Sequence, residues 1–276
     1  MRRYVTNPMI IKELRQRLRE RRAWLLPTLY LVVLSGVVLC VYYFTTDTGQ
    51  RGRGAEIQGA DIGQAIFLAV IFTQMTVLLL MAPVFSSGAI TIEREQRTLS
   101  GLLTSLLTAP QIWWGKFVAA LLYLLLLLAS SLPLLALPFA FGGVEPLDLI
   151  KVLGPTVLIL ASICAIGLWC SAVFRRSVHA TATCYAIVLV LTIVTTIAFS
   201  MLYAHWQEGH MAASGPPVHI QAPLFLNPYY SLLTLIDDND FQQLFHPVSS
   251  WLLFAAMACL AAAFAMRSLQ RSGEQL

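Results

Sequence analysis

Apolar and polar positions along this chain fall in long blocks rather than at the short periods of a soluble helix or strand. Trp24 to Phe44 is a run of 21 residues without a charge, long enough to cross the hydrocarbon of a bilayer as one helix. Further apolar runs cover about 63–92, 117–141, 150–173, 178–204 and 250–266. This pattern predicts an all-α polytopic membrane protein with six transmembrane helices in a single membrane domain. The second run would reach about 45 Å at the helical rise of ~1.5 Å per residue. That exceeds the bilayer core, so its end is expected to project into water, with a kink at Pro83 and a bend at Ser86-Ser87-Gly88.

The polar blocks between the runs differ in kind. Asn7 and Pro8 suit the start of a helix, in which Ile10, Ile11, Leu14 and Leu18 share one face. Lys12, Arg15, Arg17, Arg19, Arg21 and Arg22 crowd the remainder. An amphipathic helix over 1–23 lying in the headgroup layer of anionic lipid fits this pattern, as an anchor or as a docking site for a partner. The first span is long and no small-residue cleavage site follows it, so it is expected to be uncleaved. Residues 45–62 read as a loop. Trp113-Trp114 marks an interface, where Lys116 is expected to snorkel, and Lys151 is expected to do the same at the start of the fourth span.

Residues 205–249 form a long loop with prolines at 216, 217, 223, 228 and 247 and no Lys or Arg. Leu224-Phe225-Leu226 and Tyr229-Tyr230-Ser231-Leu232-Leu233 are too apolar for a linker and too short to span, which predicts re-entrant or interfacial helices. The block at 93–110 is the densest in charge between two spans. Glu93 and Glu95 stand at its start, where acids suit a helix N-terminus, and Leu99, Leu102, Leu103, Leu106 and Leu107 follow helical spacing up to Pro110. It is a surface helix, resting on lipid or meeting a partner.

Composition agrees with the pattern: 58% of the 276 residues are hydrophobic and 12% charged, far from the balance of soluble domains. The net charge of +4 collects at span ends, which argues against a nucleic-acid partner. Of 18 Lys and Arg, fifteen fall on the side of the N-terminus and three on the other. By the positive-inside rule both termini and 93–110 are cytoplasmic and 205–249 is outside. Cysteines 40, 164, 170, 184 and 259 all lie in apolar runs without a C-x-x-C pair, and read as small hydrophobes rather than as disulfides or metal ligands.

Candidate chemistry narrows the function by exclusion. The lysines are 12, 116 and 151, and only Lys116 follows a glycine, so no P-loop is present. His205, His210, His219 and His246 lie in the outer loop at spacings that match no compact zinc pattern, and read as solvated residues or an opportunistic metal site. No hydrolase or protease signature occurs. The span centres hold no ionisable residue of the kind that marks a proton or ion relay, so any transport draws its energy from outside the chain. Milder polar residues do lie within spans. Thr181, Tyr185, Thr192, Thr196, Ser200 and Tyr203 share a stripe of the fifth, and Thr73, Gln74 and Thr76 form a patch in the second. They read as interhelical packing, or as a weakly polar path or dimer seam for an amphipathic substrate.

The run Glu93-Arg94-Glu95-Gln96-Arg97-Thr98-Leu99-x-x-Leu102-Leu103, followed by Thr108-Ala109-Pro110 and Gly115-Lys116, resembles the cytoplasmic motif of ABC-2 type transporter permeases. Asn7-Pro8-Met9-Ile10-Ile11-Lys12-Glu13-Leu14-Arg15 is similar to the N-terminal connecting helix of that family, and Asn227-Pro228-Tyr229 resembles a segment of its last outer loop. The resemblance covers essentially the whole chain. It implies the permease half of an ATP-driven exporter of the bacterial plasma (inner) membrane. The uncharged polar residues within its spans lean toward a hydrophobic or amphipathic cargo such as a lipid, peptide or drug, with polymer and metal-related exporters as alternatives. ATP and Mg would be bound by a separate P-loop subunit, and this chain would hold no cofactor and be no enzyme.

The resemblance further implies that 93–108 is the coupling helix docked on that subunit, through Glu93, Arg94, Glu95, Arg97, Thr98, Leu99, Leu102 and Leu103. A second copy or a paralogue would complete the pore. The second and fifth spans would line it, placing Gln74, Thr181, Tyr185, Thr192, Thr196 and Ser200 on a substrate path or dimer seam. A membrane scaffold without transport, docking cytoplasmic partners through the same two surface helices, is the alternative.

Overall fold

The computed structural model describes residues 22–51, 59–97, 109–209, 222–236 and 247–274, all helix or short connection with no strand among them. The expected basic helix, with Lys12, Arg15, Arg17, Arg19 and Arg21, lies outside the described residues. So do Thr98, Leu99, Leu102 and Leu103, the loop histidines 210, 219 and 246, and the side chain of Arg22.

Helix α1 runs Arg22–Arg51 and α2 runs Gly59–Ser86, followed by the short α3, Thr91–Glu95. Helix α4 covers Ala109–Ser130, with two single turns beyond it, α5 (Leu132–Leu135) and α6 (Leu137–Phe141). Pro133 and Pro138 sit at the starts of these turns, where a missing N–H costs least and where α4 cannot continue unbroken. Helix α7 is Pro146–Val173. The fifth span is built from α8 (Ser177–Leu189), a π-helical turn (Val190–Val194) and α9 (Thr195–Gly209). A 3-10 turn (Ala222–Leu226), α10 (Pro228–Ile236) and α11 (Pro247–Glu274) complete the described chain.

Six stretches are long and apolar enough to cross a membrane: Trp24–Asp47, Gly59–Glu95, Pro110–Ser130, Pro146–Val173, Ser177–His205 and Ser250–Gln270. The protein is an all-α, six-span integral membrane protein. Its spans are not equivalent. In the second, third and fourth, 50%, 61% and 56% of the most apolar window is buried within the chain, against 11%, 17% and 22% in the first, fifth and sixth. Helix α7 is the hub, with α11 along one side and α2, α4, α8 and α10 on the others.

Small residues allow this crowding. Ala261 and Ala265 of α11 are buried against the core, and the Ser162 hydroxyl of α7 donates to the Phe254 carbonyl across the same seam at 2.8 Å. Such contacts replace the hydrophobic drive that is missing between helices in lipid. The exposed Leu29, Val32 and Leu39 of α1 and Val190 and Val194 of the fifth span face outward, as suits side chains whose solvent is lipid.

Candidate functional site

The second span breaks before it leaves the bundle. Ser86 and Ser87 return their hydroxyl protons to the carbonyls of Ala82 and Pro83, and the regular helix stops at Ser86. A break at this depth frees backbone groups that water cannot reach, and each needs a partner. Ser171 of α7, fully buried, accepts from the amides of Ile90 and Thr91 at 2.9 and 3.0 Å, capping α3 from another helix. The freed Ala89 carbonyl accepts from the Lys116 ammonium at 2.7 Å. Gly167 of α7 makes the approach possible, because a Cβ there would collide with the Ser86 side chain.

Lys116 therefore does not snorkel. Its side chain is 2% exposed and pairs with the Glu93 Oε1 at 2.8 Å. The expectation rested on an exposed span end, whereas the break in the second span puts a carbonyl and a carboxylate within reach of the ammonium, and both solvate it better than a distant interface.

Glu93 opens a row of three side chains that reach three different elements. Consecutive helical residues project about 100° apart, since a turn holds 3.6, so neighbours on α3 face different neighbours in space. Glu93 turns to Lys116 on α4. Arg94 donates to the carbonyls of Ala172 and Phe174 at 3.3 and 3.1 Å, the last acceptors of α7, where a cation suits the negative helix end. Ser268 of α11 donates to the same Ala172 carbonyl at 3.2 Å. Glu95 accepts from the backbone N–H and hydroxyl of Ser177 at 2.7 and 3.0 Å, an acidic cap on the positive start of α8. The turn between the fourth and fifth spans is thus gripped on both sides by adjacent residues of α3. Arg97 ends the row at φ 58 and is exposed, as are Arg175 and Arg176.

Farther into the bundle the second and fifth spans are joined at three levels. Ser87 shares a hydrogen bond with Thr181 at 2.8 Å, and the Tyr185 hydroxyl donates to the Leu80 carbonyl at 2.8 Å. At the third level the link runs through the segment 222–236. The Asn227 amide nitrogen lies 3.1 Å from the Thr192 carbonyl, 3.1 Å from the Thr195 hydroxyl and 2.8 Å from the Thr196 hydroxyl. Its oxygen accepts from the Tyr229 N–H at 2.9 Å. One side chain therefore caps α10 and holds the π-helical turn, a distortion often found at functional positions. Tyr229 reaches on to Thr76 at 2.9 Å and stacks on Phe72.

Between these links lies a cleft of about 410 Å³ walled by the second and fifth spans, with Thr76, Leu80, Thr192, Ile193, Thr196 and Tyr229 in its lining. The sequence-derived candidates divide around it. Thr192 and Thr196 line it, and Thr181 and Tyr185 stitch its flank. Ser200 bonds to its own helix at the Ile197 carbonyl, away from these links. Gln74 is buried on another face of α2, where it accepts from Ser131 at 2.8 Å. Two residues that matter here, Lys116 and Ser171, escaped the sequence reading as site residues. The signal available for each was polarity at the edge of an apolar run, which does not say where the side chain turns. Among the described residues no group of His, Cys, Asp or Glu is placed to hold a metal.

A search of curated proteins finds no match to this chain. A family model described as ABC-2 family transporter protein matches residues 8–273, which takes in every described span, the α3 cluster and the Asn227 segment. The chain therefore belongs to the ABC-2 family of transporter proteins, membrane transport components that are not themselves catalytic and that pair with an ATP-binding subunit.

Proposed function

We propose that this chain is the permease half of an ATP-binding-cassette exporter, moving a hydrophobic or amphipathic substrate across or out of the membrane. ATP and Mg are held by a separate P-loop subunit, and a second copy or a paralogue completes the pore. The end of the bundle bearing α3 and both termini faces the cytoplasm of a bacterial cell. One observation carries the reading: Glu93, Arg94 and Glu95 tie α3 to the ends of the third, fourth and fifth spans.

This arrangement divides the labour along the motif. Leu99, Leu102 and Leu103 fill a groove on the ATP-binding subunit, and the exposed Arg97 sets the register. Glu93, Arg94 and Glu95 are bonded to the bundle and pass displacement of the docked segment to three span ends together. The fifth span is joined to the second through Thr181, Tyr185 and Asn227, so its tilt alters the cleft between them. In a reconstituted complex with the ATP-binding subunit, Leu102→Asp and Arg97→Glu are expected to leave the permease in the membrane while ATP hydrolysis no longer drives transport. Unchanged transport in both variants would sink the assignment.

A further inference from the structure

The hydroxyl groups lining the cleft between the second and fifth spans can be accounted for proton by proton. A threonine or tyrosine hydroxyl has one hydrogen to give and two lone pairs to receive. Thr192 gives its hydrogen to the Val188 carbonyl at 2.9 Å, and Thr196 gives its own to the Thr192 carbonyl at 2.6 Å. Thr76 gives its hydrogen to the Phe72 carbonyl at 2.7 Å. The contact between Thr76 and Tyr229 at 2.9 Å then has one consistent sense: Tyr229 donates and Thr76 accepts. All four hydroxyls have spent their hydrogens inside the protein.

What remains toward the cleft is a set of lone pairs on Thr192, Thr196 and Tyr229 in an otherwise apolar wall. Among the described residues the lining contains no Lys, Arg or His. Asn227, the nearby amide donor, is 3% exposed and directs its N–H groups to the Thr192, Thr195 and Thr196 oxygens. The volume of about 410 Å³ falls in the range of small-molecule sites.

We propose that this cleft binds an apolar molecule whose head donates hydrogen bonds, an alcohol or a primary amine, and that it rejects anionic head groups. A donor finds acceptor oxygens in the lining. An acceptor-only or anionic head meets lone pairs and no hydrogen, so its desolvation is not offset. The inference rests on the cleft being part of the transport path, and it adds the chemical class of the cargo.

The test uses the full chain in phosphatidylcholine nanodiscs without the ATP-binding subunit. A diazirine-bearing dodecanol marks the cleft, with labelled residues located by mass spectrometry. Dodecanol, dodecylamine, methyl dodecyl ether and dodecyl sulfonate compete, each scaled to its amount in the bilayer. Dodecanol and dodecylamine are expected to compete about fivefold better than the ether, the worth of roughly one hydrogen bond, and the sulfonate is expected to be weakest. Tyr229→Phe should narrow the alcohol-to-ether ratio. Leu80→Gln, which adds an amide donor to the wall, should strengthen sulfonate competition, a gain that misfolding cannot imitate.

Equal competition by all four molecules overturns the chemical class and leaves the transport reading standing. Labelling absent from the cleft overturns both the chemical class and the placing of the transport path in this cleft. Disulfide-linked dimers of Ile193→Cys then show that a second copy fills the space, with the permease reading itself untouched.

Discussion

Replacing Lys116 with methionine keeps the length of the side chain and removes the charge that the break in the second span is built around. Two groups each lose a close contact. The Glu93 carboxylate, with 19% of its side chain exposed, keeps a charge in a largely dry site. The Ala89 carbonyl loses its 2.7 Å donor. Removing one member of a buried pair costs ~3–5 kcal/mol, and an orphaned buried carbonyl ~1–3 kcal/mol. The partial exposure of Glu93 relieves some of the first cost, so the expected loss is about 3 kcal/mol. Glu93→Leu combined with Lys116→Met removes both charges at once and should recover the ion-pair share of the loss, since an apolar pair often replaces a buried ion pair without penalty. That leaves about 1–2 kcal/mol for the Ala89 carbonyl, which still lacks its donor. Equilibrium unfolding in mixed micelles, read as a double-mutant cycle, measures both. A single variant within about 0.5 kcal/mol of the parent, or a double variant as unstable as the single, would refute the reasoning.

Other substitutions separate packing, capping and docking. Gly167→Ala should push α2 and α7 apart at Ser86 and cost about 1–3 kcal/mol of stability as an overpacked contact, visible in the same unfolding assay. Asn227→Asp keeps an oxygen to cap α10 yet has no N–H to give to Thr192, Thr195 and Thr196. Limited proteolysis should therefore find 222–236 less firmly held while the helix content by circular dichroism is unchanged. Arg97→Gly relieves a positive φ that costs an L-residue ~1–2 kcal/mol. The purified permease should melt no earlier than the parent while retaining less of the ATP-binding subunit in co-purification.

Much of the architecture was legible because a bilayer leaves the chain few choices. Runs near 20 apolar residues have to be helices, and the bend expected at Ser86-Ser87-Gly88 coincides with the end of α2. The Pro133 and Pro138 turns follow from the missing N–H groups. The partners of the polar residues were not legible. Glu93, Arg94 and Glu95 read as one surface cluster, because adjacency in sequence does not reveal that three successive directions on a short helix meet three different span ends. Thr73, Gln74 and Thr76 read as one patch for the same reason, whereas Gln74 turns to Ser131 and Thr76 to Tyr229. The Asn227 motif was recognisable as a pattern, but its grip on the fifth span depends on a π-helical turn that nothing in Val190–Val194 announces.

In the proposed mechanism α3 passes motion from a docked subunit to the turn between the fourth and fifth spans, through Arg94 at the end of one and Glu95 at the start of the other. Spin labels at Leu80 and Ile193, on opposite walls of the cleft, report its width in the permease bound to its ATP-binding subunit. Trapping that subunit with ATP and vanadate should shift the label distance by on the order of 2–5 Å in the parent. The same treatment of a permease carrying Arg94→Leu and Glu95→Ala should leave the distance unchanged, although the subunit still binds and traps nucleotide. An equal shift in parent and variant would contradict the account.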